Sequence, residues 1–321
     1  MKKHILIVGN GSIGKRHARN LHKLGCDIFV VDPREDRLNE LDQEFDVRKY
    51  KTLDLALAKH KYDGAVIATP PAQHQEDGIK LMERKTPIYM EKGITLDLKE
   101  AQALEAFQLE TQTPFLMGYS WRWWSSLQQL EKNMGKWVGR VRRVEFTMAA
   151  HLADWHPWER YQDFYIASRG GVENENHWID IMLMWFGYPN FMMGELKHIS
   201  DLDTTTNDCL DLFCQYPGFD VVHHYDLYRR PHERSIKIYG EKGSVYWTPN
   251  KIEVACAESK SEYVNKNDRN DMFYSAMEEF IQVIDGKEPS CTIRDGVAVI
   301  ELLNEFKDNI AFDHELLNAK Q

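Results

Sequence analysis

Short apolar runs alternate with helix-like segments through the first 118 residues. Ile5–Val8, Asp27–Val31, Gly64–Ala68, Pro87–Met90 and Pro114–Met117 are each bounded by Gly, Pro or charged residues and read as buried strands. Lys15–Leu24, Gln73–Arg84 and Leu98–Glu110, lying between them, read as helices. Such alternation predicts a doubly wound parallel sheet with right-handed crossovers. Beyond Tyr119 the texture changes. Val144, Phe146 and Met148 alternate with Arg143, Glu145 and Thr147, the period of a half-buried strand. Runs at Cys209–Tyr216, Val221–Tyr228, Ser235–Tyr239 and Val245–Trp247, with turns between them, predict a mostly antiparallel sheet. Amphipathic helices over Asp271–Ile284 and Gly296–Phe306 follow. The predicted fold class is therefore α/β, with a nucleotide-binding domain over 1–118 and an α+β domain with an open, mostly antiparallel sheet over 119–321.

In a doubly wound sheet, ligands sit beyond the carboxyl ends of the strands. Those ends carry Gly9 to Gly14, Asp32, Thr69 to His74, Glu91-Lys92 and Tyr119 to Arg122. The first set is Gly9-Asn-Gly11-Ser12-Ile13-Gly14, a G-x-G-x-x-G between a strand and a helix. At this spacing the first glycine makes the tight turn, the second lets a pyrophosphate approach the backbone, and the third lets helix pack on strand. The helix N-terminus adds free N–H groups and a partial positive charge. Asp32 closes the second apolar run, about 20 residues beyond the glycines, where an acid accepts from the adenosine ribose hydroxyls. A carboxylate there repels a 2′-phosphate, which favours NAD. Arg34 and Arg37 would instead pair with such a phosphate, which keeps NADP open, or else belong to a solvated charged face. Pro70 restricts Thr69 to an extended shape, and Pro71 ends the third run.

At 321 residues the chain is long enough for two domains. Its net charge of −10 argues against nucleic acid as a partner. No apolar run reaches the ~20 residues of a membrane span, and no signal-peptide pattern is visible. The five cysteines, Cys26, Cys209, Cys214, Cys256 and Cys291, form no C-x-x-C and fit reduced thiols in a cytoplasmic protein. Cys209 and Cys214 are five apart on a predicted strand and so face opposite ways; no metal site is expected from them.

Three stretches of the second half carry candidate chemistry. Ser120-Trp-Arg-Trp-Trp124 either stacks on a sugar or nicotinamide or packs a core. Asp154-Trp155-His156-Pro-Trp158 is either a substrate wall or a packed loop. The third, Arg169 to Gly187, reads as a helix ending at Gly187. If that helix begins by Glu173, then Glu173, His177 and Asp180 lie on one face, with Asn176 flanking them. A polar stripe on a mostly apolar helix is either a site facing a cavity or a satisfied hydrogen-bond network.

Taken together these motifs resemble the Gfo/Idh/MocA family of NAD(P)-dependent sugar oxidoreductases, over nearly the whole chain. The residues that carry the resemblance are the glycine turn followed by Arg16-His17, Thr69-Pro70 through His74, Glu91-Lys92, Gly118-Tyr119 with Arg122, Gly170-Gly171 leading to His177 and Asp180, and Ile238 to Gly243. The resemblance implies a Rossmann domain, then an α/β domain whose open sheet supports homo-oligomers. It implies hydride transfer between nicotinamide and a carbon of a sugar, polyol or nucleotide-linked sugar. Lys92 would polarise and orient the reacting hydroxyl, His177 would take its proton, and Glu173 would stand where the family often has the Asp that accompanies this His. Gly9, Gly11, Ser12, Ile13, Gly14, Asp32, Arg34, Thr69, Pro70, His74, Glu91, Lys92 and Arg122 would serve the cofactor. Lys92, Tyr119, Trp155, His156, Asn176, His177 and Asp180 would serve the substrate. Gly93 replaces the family's proline and Glu173 its usual aspartate. Some relatives are glycosidases that use NAD transiently, and a non-catalytic dinucleotide sensor is a further alternative.

Overall fold

The computed structural model describes residues 2–155, 171–257 and 259–318. The chain divides into two compact units. The first runs through Trp123 and takes back Asp268–Ile300; the second holds Trp124–Asn267 and the residues from Glu301 onward. The expected boundary at 118/119 therefore differs from the observed division. An amphipathic pattern over 271–284 shows that the helix has an apolar face, but not which sheet that face covers.

The first unit is built on six parallel strands: β1 (His4–Val8), β2 (Asp27–Val31), β3 (Val47–Tyr50), β4 (Gly64–Ile67), β5 (Ile88–Glu91) and β6 (Phe115–Gly118). Their order is β3-β2-β1-β4-β5-β6, so the direction of winding reverses beside β1, where such sheets open a crevice. Ile5 to Val8 are all buried and pair with β2 on one side and β4 on the other, which explains an apolar run without alternation. β3 escaped the sequence reading because Val-Arg-Lys-Tyr at a sheet edge buries only Val47. The helix Pro71–Glu83 places Pro71 in its first turn, where the missing N–H costs nothing. Asp268 caps the helix Arg269–Ile284, whose Met272, Phe273, Ala276, Met277 and Phe280 are buried. The returning segment is bonded to the edge of the sheet, with the Met117 N–H donating to the Cys291 carbonyl at 2.8 Å.

The second unit holds eight strands: β7 (Val141–Ala149), β8 (Phe191–Lys197), β9 (Cys209–Tyr216), β10 (Phe219–Asp226), β11 (Glu233–Gly240), β12 (Gly243–Thr248), β13 (Lys251–Cys256) and β14 (Ser259–Val264). Their order is β14-β13-β12-β11-β7-β10-β9-β8, antiparallel except where β10 runs parallel to β7. β8 and β14, at the two edges, lack the buried apolar rows that mark the central strands. One face of the sheet packs on a core that includes Phe146, Trp178, His223 and Trp247. Along β9, Leu210, Leu212, Cys214 and Tyr216 are buried while Asp211, Phe213 and Gln215 are more exposed. Cys209 and Cys214 thus do face opposite ways.

His223 is fully buried and stacks on Phe146 with ring centroids 4.7 Å apart. Burial pushes its pKa down to about 3, so it is neutral in the native state. The unfolded chain takes up a proton on this residue below about pH 6.5, so native stability falls as pH drops from there toward 3. His223→Gln is expected to flatten that acid limb by about one proton, read from melting temperature against pH. Equal slopes in both proteins would remove this residue as the cause.

Candidate functional site

The turn after β1 has separate physical reasons for its three glycines. Gly9 has φ +91°, and a Cβ there would lie 2.8 Å from the Ala68 carbonyl carbon. A Cβ on Gly14 would run into the Gly9 carbonyl oxygen. Over Gly11 a Cβ would meet only Arg37 Nη1, at 3.8 Å, so the backbone there is open to a close ligand. Ser12 and Ile13 follow at the start of the helix Ser12–Lys23, which carries no acidic residue in its first turn and so presents its N–H groups unopposed to an anion.

Asp32, at 3% exposure, is fixed at the end of β2. Its Oδ2 accepts from the Asn10 N–H at 2.9 Å and its Oδ1 from the Arg34 N–H at 2.9 Å. This ties the acid to the glycine turn, and each carboxylate oxygen keeps acceptor capacity for a ribose hydroxyl. The guanidinium of Arg37 lies 3.9 Å from Asp32 Oδ2, and that of Arg34 pairs with Asp36. The open backbone at Gly11 and the fixed acid fit an adenine dinucleotide.

At the ends of β4 and β5 the expected residues hold one another. His74 is fully buried, with Nε2 2.8 Å from the Thr69 carbonyl and Nδ1 2.9 Å from that of Gly93. Burial lowers its pKa against the opposing pull of these carbonyls. Expected at the cofactor, His74 instead joins the Thr69-Pro70 turn to the backbone just after Lys92. Thr69 Oγ1 donates to Asp77 at 2.8 Å, and burial pushes that carboxyl up to about 6. Glu91 points inward: its Oε1 is 2.7 Å from His17 Nε2 and accepts from Tyr89 OH at 3.4 Å. Lys92 is half-buried, and the Lys92–Gly93 peptide is cis. The backbone carrying Lys92 is thus held on both sides, through Glu91 by His17 and through Gly93 by His74.

Tyr119 is fully buried in the first unit. Arg122, expected at the cofactor, donates from Nη2 to Asp295 at 3.0 Å and from Nη1 to the Ser290 carbonyl at 3.1 Å. Burial raises the Asp295 pKa, but Arg122 and the Thr292 bonds outweigh it and hold the carboxyl below its usual range. Arg122 therefore anchors the returning segment. The tryptophans of 120–124 are buried, with Trp123 Nε1 donating to Glu279 at 2.8 Å, which is core packing.

In the second unit, Val172–Asn174 forms a separate 3₁₀ turn and the helix begins only at His177, ending at Phe186 before Gly187 at φ +74°. The expected stripe of Glu173, His177 and Asp180 is therefore corrected. A 3₁₀ turn advances about 120° per residue, and Glu175 and Asn176 separate it from the helix, so Glu173 is out of phase. Its carboxylate folds back beside Gly171, where a Cβ would lie 2.7 Å from Glu173 Oε2. His177 and Asp180 remain together on the first helical turn, both buried. Asn176, fully buried before them, has no side-chain hydrogen-bond partner among the described residues. Of the aromatic loop, the side chain of Trp155 and all of His156 and Trp158 lie outside the described residues, as does Gly170.

Sequence reasoning named His17 and Arg122 but not their bonds. Asp77, Tyr89 and Asp295 it missed. No local signal marks them, because each is selected by a partner distant along the chain or by burial.

Residues 3–119 match the model of an oxidoreductase family with an NAD-binding Rossmann fold, GFO_IDH_MocA. Over that stretch, just over a third of the chain, the sequence is similar to the NAD-binding domain of the Gfo/Idh/MocA oxidoreductases. Among its relatives, scyllo-inositol 2-dehydrogenase (NAD⁺) of Bacillus subtilis is 30% identical over 112 residues, which is 33% of this chain and 32% of that enzyme. UDP-N-acetylglucosamine 3-dehydrogenase of Acidithiobacillus ferrooxidans is 27% identical over 126 residues, 39% of this chain and 40% of that one. The matches thus span only 32% and 40% of these relatives' own lengths. The fold extends further. An oxidoreductase from Agrobacterium radiobacter, crystallised with NAD⁺, L-tartaric acid and magnesium, superposes with TM-score 0.84 over 97% of both chains at 15% identity. No helix among the described residues is long and apolar enough to cross a membrane.

Proposed function

We propose that this chain is an NAD(P)-dependent oxidoreductase of the Gfo/Idh/MocA type that moves a hydride between nicotinamide and a carbon of a sugar, polyol or nucleotide-linked sugar. The observation that carries this reading is the pairing of an approachable Gly11 backbone with an Asp32 carboxylate bonded to the same turn. Relatives named scyllo-inositol 2-dehydrogenase and UDP-N-acetylglucosamine 3-dehydrogenase support that substrate class. When bound, NAD supplies the hydride acceptor or donor. Gly9 to Gly14 hold the pyrophosphate, Asp32 the ribose, and the Thr69-Pro70 turn the nicotinamide end.

Lys92 orients and polarises the reacting hydroxyl, because an ammonium stabilises the negative charge that grows on its oxygen. His177 takes the hydroxyl proton, since an alcohol gives up hydride poorly while it keeps that proton, and an imidazole suits the transfer near neutral pH. Tyr119, Asn176 and Asp180 shape the sugar site, and Glu173 lies on the turn leading into the His177 helix. The open sheet of the second unit joins copies of the chain into a homo-oligomer.

NADH fluorescence titration followed by a turnover screen over inositols and UDP-sugars tests this reading. Saturable NADH binding with turnover on one of these classes is the expected result. Binding without turnover and without glycoside cleavage would replace the enzyme by a sensor; cleavage without net change in nicotinamide absorbance would replace it by a glycosidase. Asp32→Ala is expected to raise the NADP-to-NAD preference at least about tenfold, the loss of a charge-assisted hydrogen bond and of a repulsion. An unchanged preference would show that Asp32 does not read the ribose.

A further inference from the structure

The β9–β10 hairpin turns at Pro217-Gly218, and its register sets His224 opposite Asp211 and Asp226 opposite Cys209. Residues two apart on a strand share a face, so Cys209, Asp211, His224 and Asp226 form one cluster on the sheet face opposite that of Leu210, Leu212 and Cys214. One donor atom each from Cys209, Asp211 and His224 lie within 4.8 Å of one another. His224 Nδ1 is 2.6 Å from Asp211 Oδ1, and Cys209 Sγ is 3.9 Å from Asp211 Oδ2.

The surroundings of the imidazole matter as much as the cluster. Its other nitrogen, Nε2, is 3.0 Å from Oδ2 of Asp226. Asp226 is fully buried and receives the Arg229 guanidinium, Nε donating at 2.9 Å. Asp226 on the far nitrogen would hold the Nε2–H, the arrangement found behind metal-binding histidines, while a cation entering between Asp211 and His224 would take the place of any proton they share at Nδ1. The Tyr228 hydroxyl donates to Cys209 Sγ at 3.7 Å. Lys197, 3.8 Å from Asp211 Oδ2, is also paired with Glu195.

We propose that Cys209, Asp211 and His224 bind a zinc-class divalent cation on this hairpin, with a fourth position left to water. Charge supports it: thiolate and carboxylate together neutralise a dication, and Asp226 with Arg229 adds none. Donor type supports it too. A thiolate and an imidazole select zinc and its neighbours over magnesium and calcium, which take oxygen. Half-exposed Asp211 and His224 give the ion an entry path. The site is a clip across two neighbouring strands, and it does not rest on the redox reading.

The test uses full-length, tag-free protein stripped with chelator. Zn²⁺ is titrated against a chromophoric competitor, and Co²⁺ replaces it as a spectroscopic probe. One equivalent of Zn²⁺ per chain is expected, insensitive to excess Mg²⁺. Cobalt is expected to give visible ligand-field bands and a near-ultraviolet thiolate charge-transfer band. Cys209→Ser should abolish the thiolate band, while Cys256→Ser leaves it. His224→Gln should lose stoichiometric binding, and Asp226→Asn should weaken it about tenfold or more. Absence of stoichiometric binding, or a thiolate band that survives Cys209→Ser, overturns the site. Binding unchanged in His224→Gln does so independently.

Discussion

Replacing Lys92 by alanine is expected to lower kcat at least about a hundredfold, or about 2.7 kcal/mol of transition-state stabilisation, while NADH still binds. The expectation follows from how the residue is presented. Glu91 before it is held by the fully buried His17, and Gly93 after it is met by the fully buried His74. Neither hold involves the Lys92 side chain, so its removal deletes an ammonium from a backbone that stays in place. The nucleotide contacts proposed at Gly9 to Gly14 and Asp32 belong to other strand ends and survive. Steady-state kinetics and NADH fluorescence on the same sample separate the two effects. Equal loss of both would mean that Lys92 serves cofactor binding; full activity would remove it from the chemistry.

The largest stability effect is expected from Trp178→Ala, about 3–5 kcal/mol. Trp178 is fully buried, meets Trp247 edge-on with centroids 5.5 Å apart, and lies against Phe146 at 5.5 Å. Truncation leaves a cavity lined by large rings that cannot collapse without moving the sheet. The residue also follows His177 directly, so the helix that presents the imidazole loses its anchor on β7 and β12. Urea denaturation followed by tryptophan fluorescence should show the drop, with Trp178→Phe retaining most of the stability. A loss below about 1 kcal/mol would mean that the core relaxes around the gap.

The dinucleotide half of the fold was legible because each of its signals acts within one strand–turn–helix step. Gly9, Gly11 and Gly14 are spaced by the turn itself, and Asp32 by the length of one helix and one strand. The later helix was legible at its end, where Gly187 takes a positive φ, but not at its start. Val172–Asn174 carries no feature that separates a 3₁₀ turn from the first turn of an α-helix, and the polar stripe drawn through Glu173 inherited that ambiguity. His17 and Glu91 lie 74 residues apart. Arg122 and Asp295 are separated by 173. No periodicity links such pairs.

By itself the sequence determined the alternation of strands and helices, the glycine turn, the acid at the second strand end and the change of texture after Tyr119. These depend on hydrophobic period and on backbone freedom, which are properties of a few consecutive residues. Only the tertiary structure decided that 268–300 returns to the first sheet, that His17 and His74 hold the backbone on either side of Lys92, and that Cys209, Asp211 and His224 share one face of a hairpin. Those outcomes depend on which buried polar group finds which partner, and burial is created only when distant segments pack.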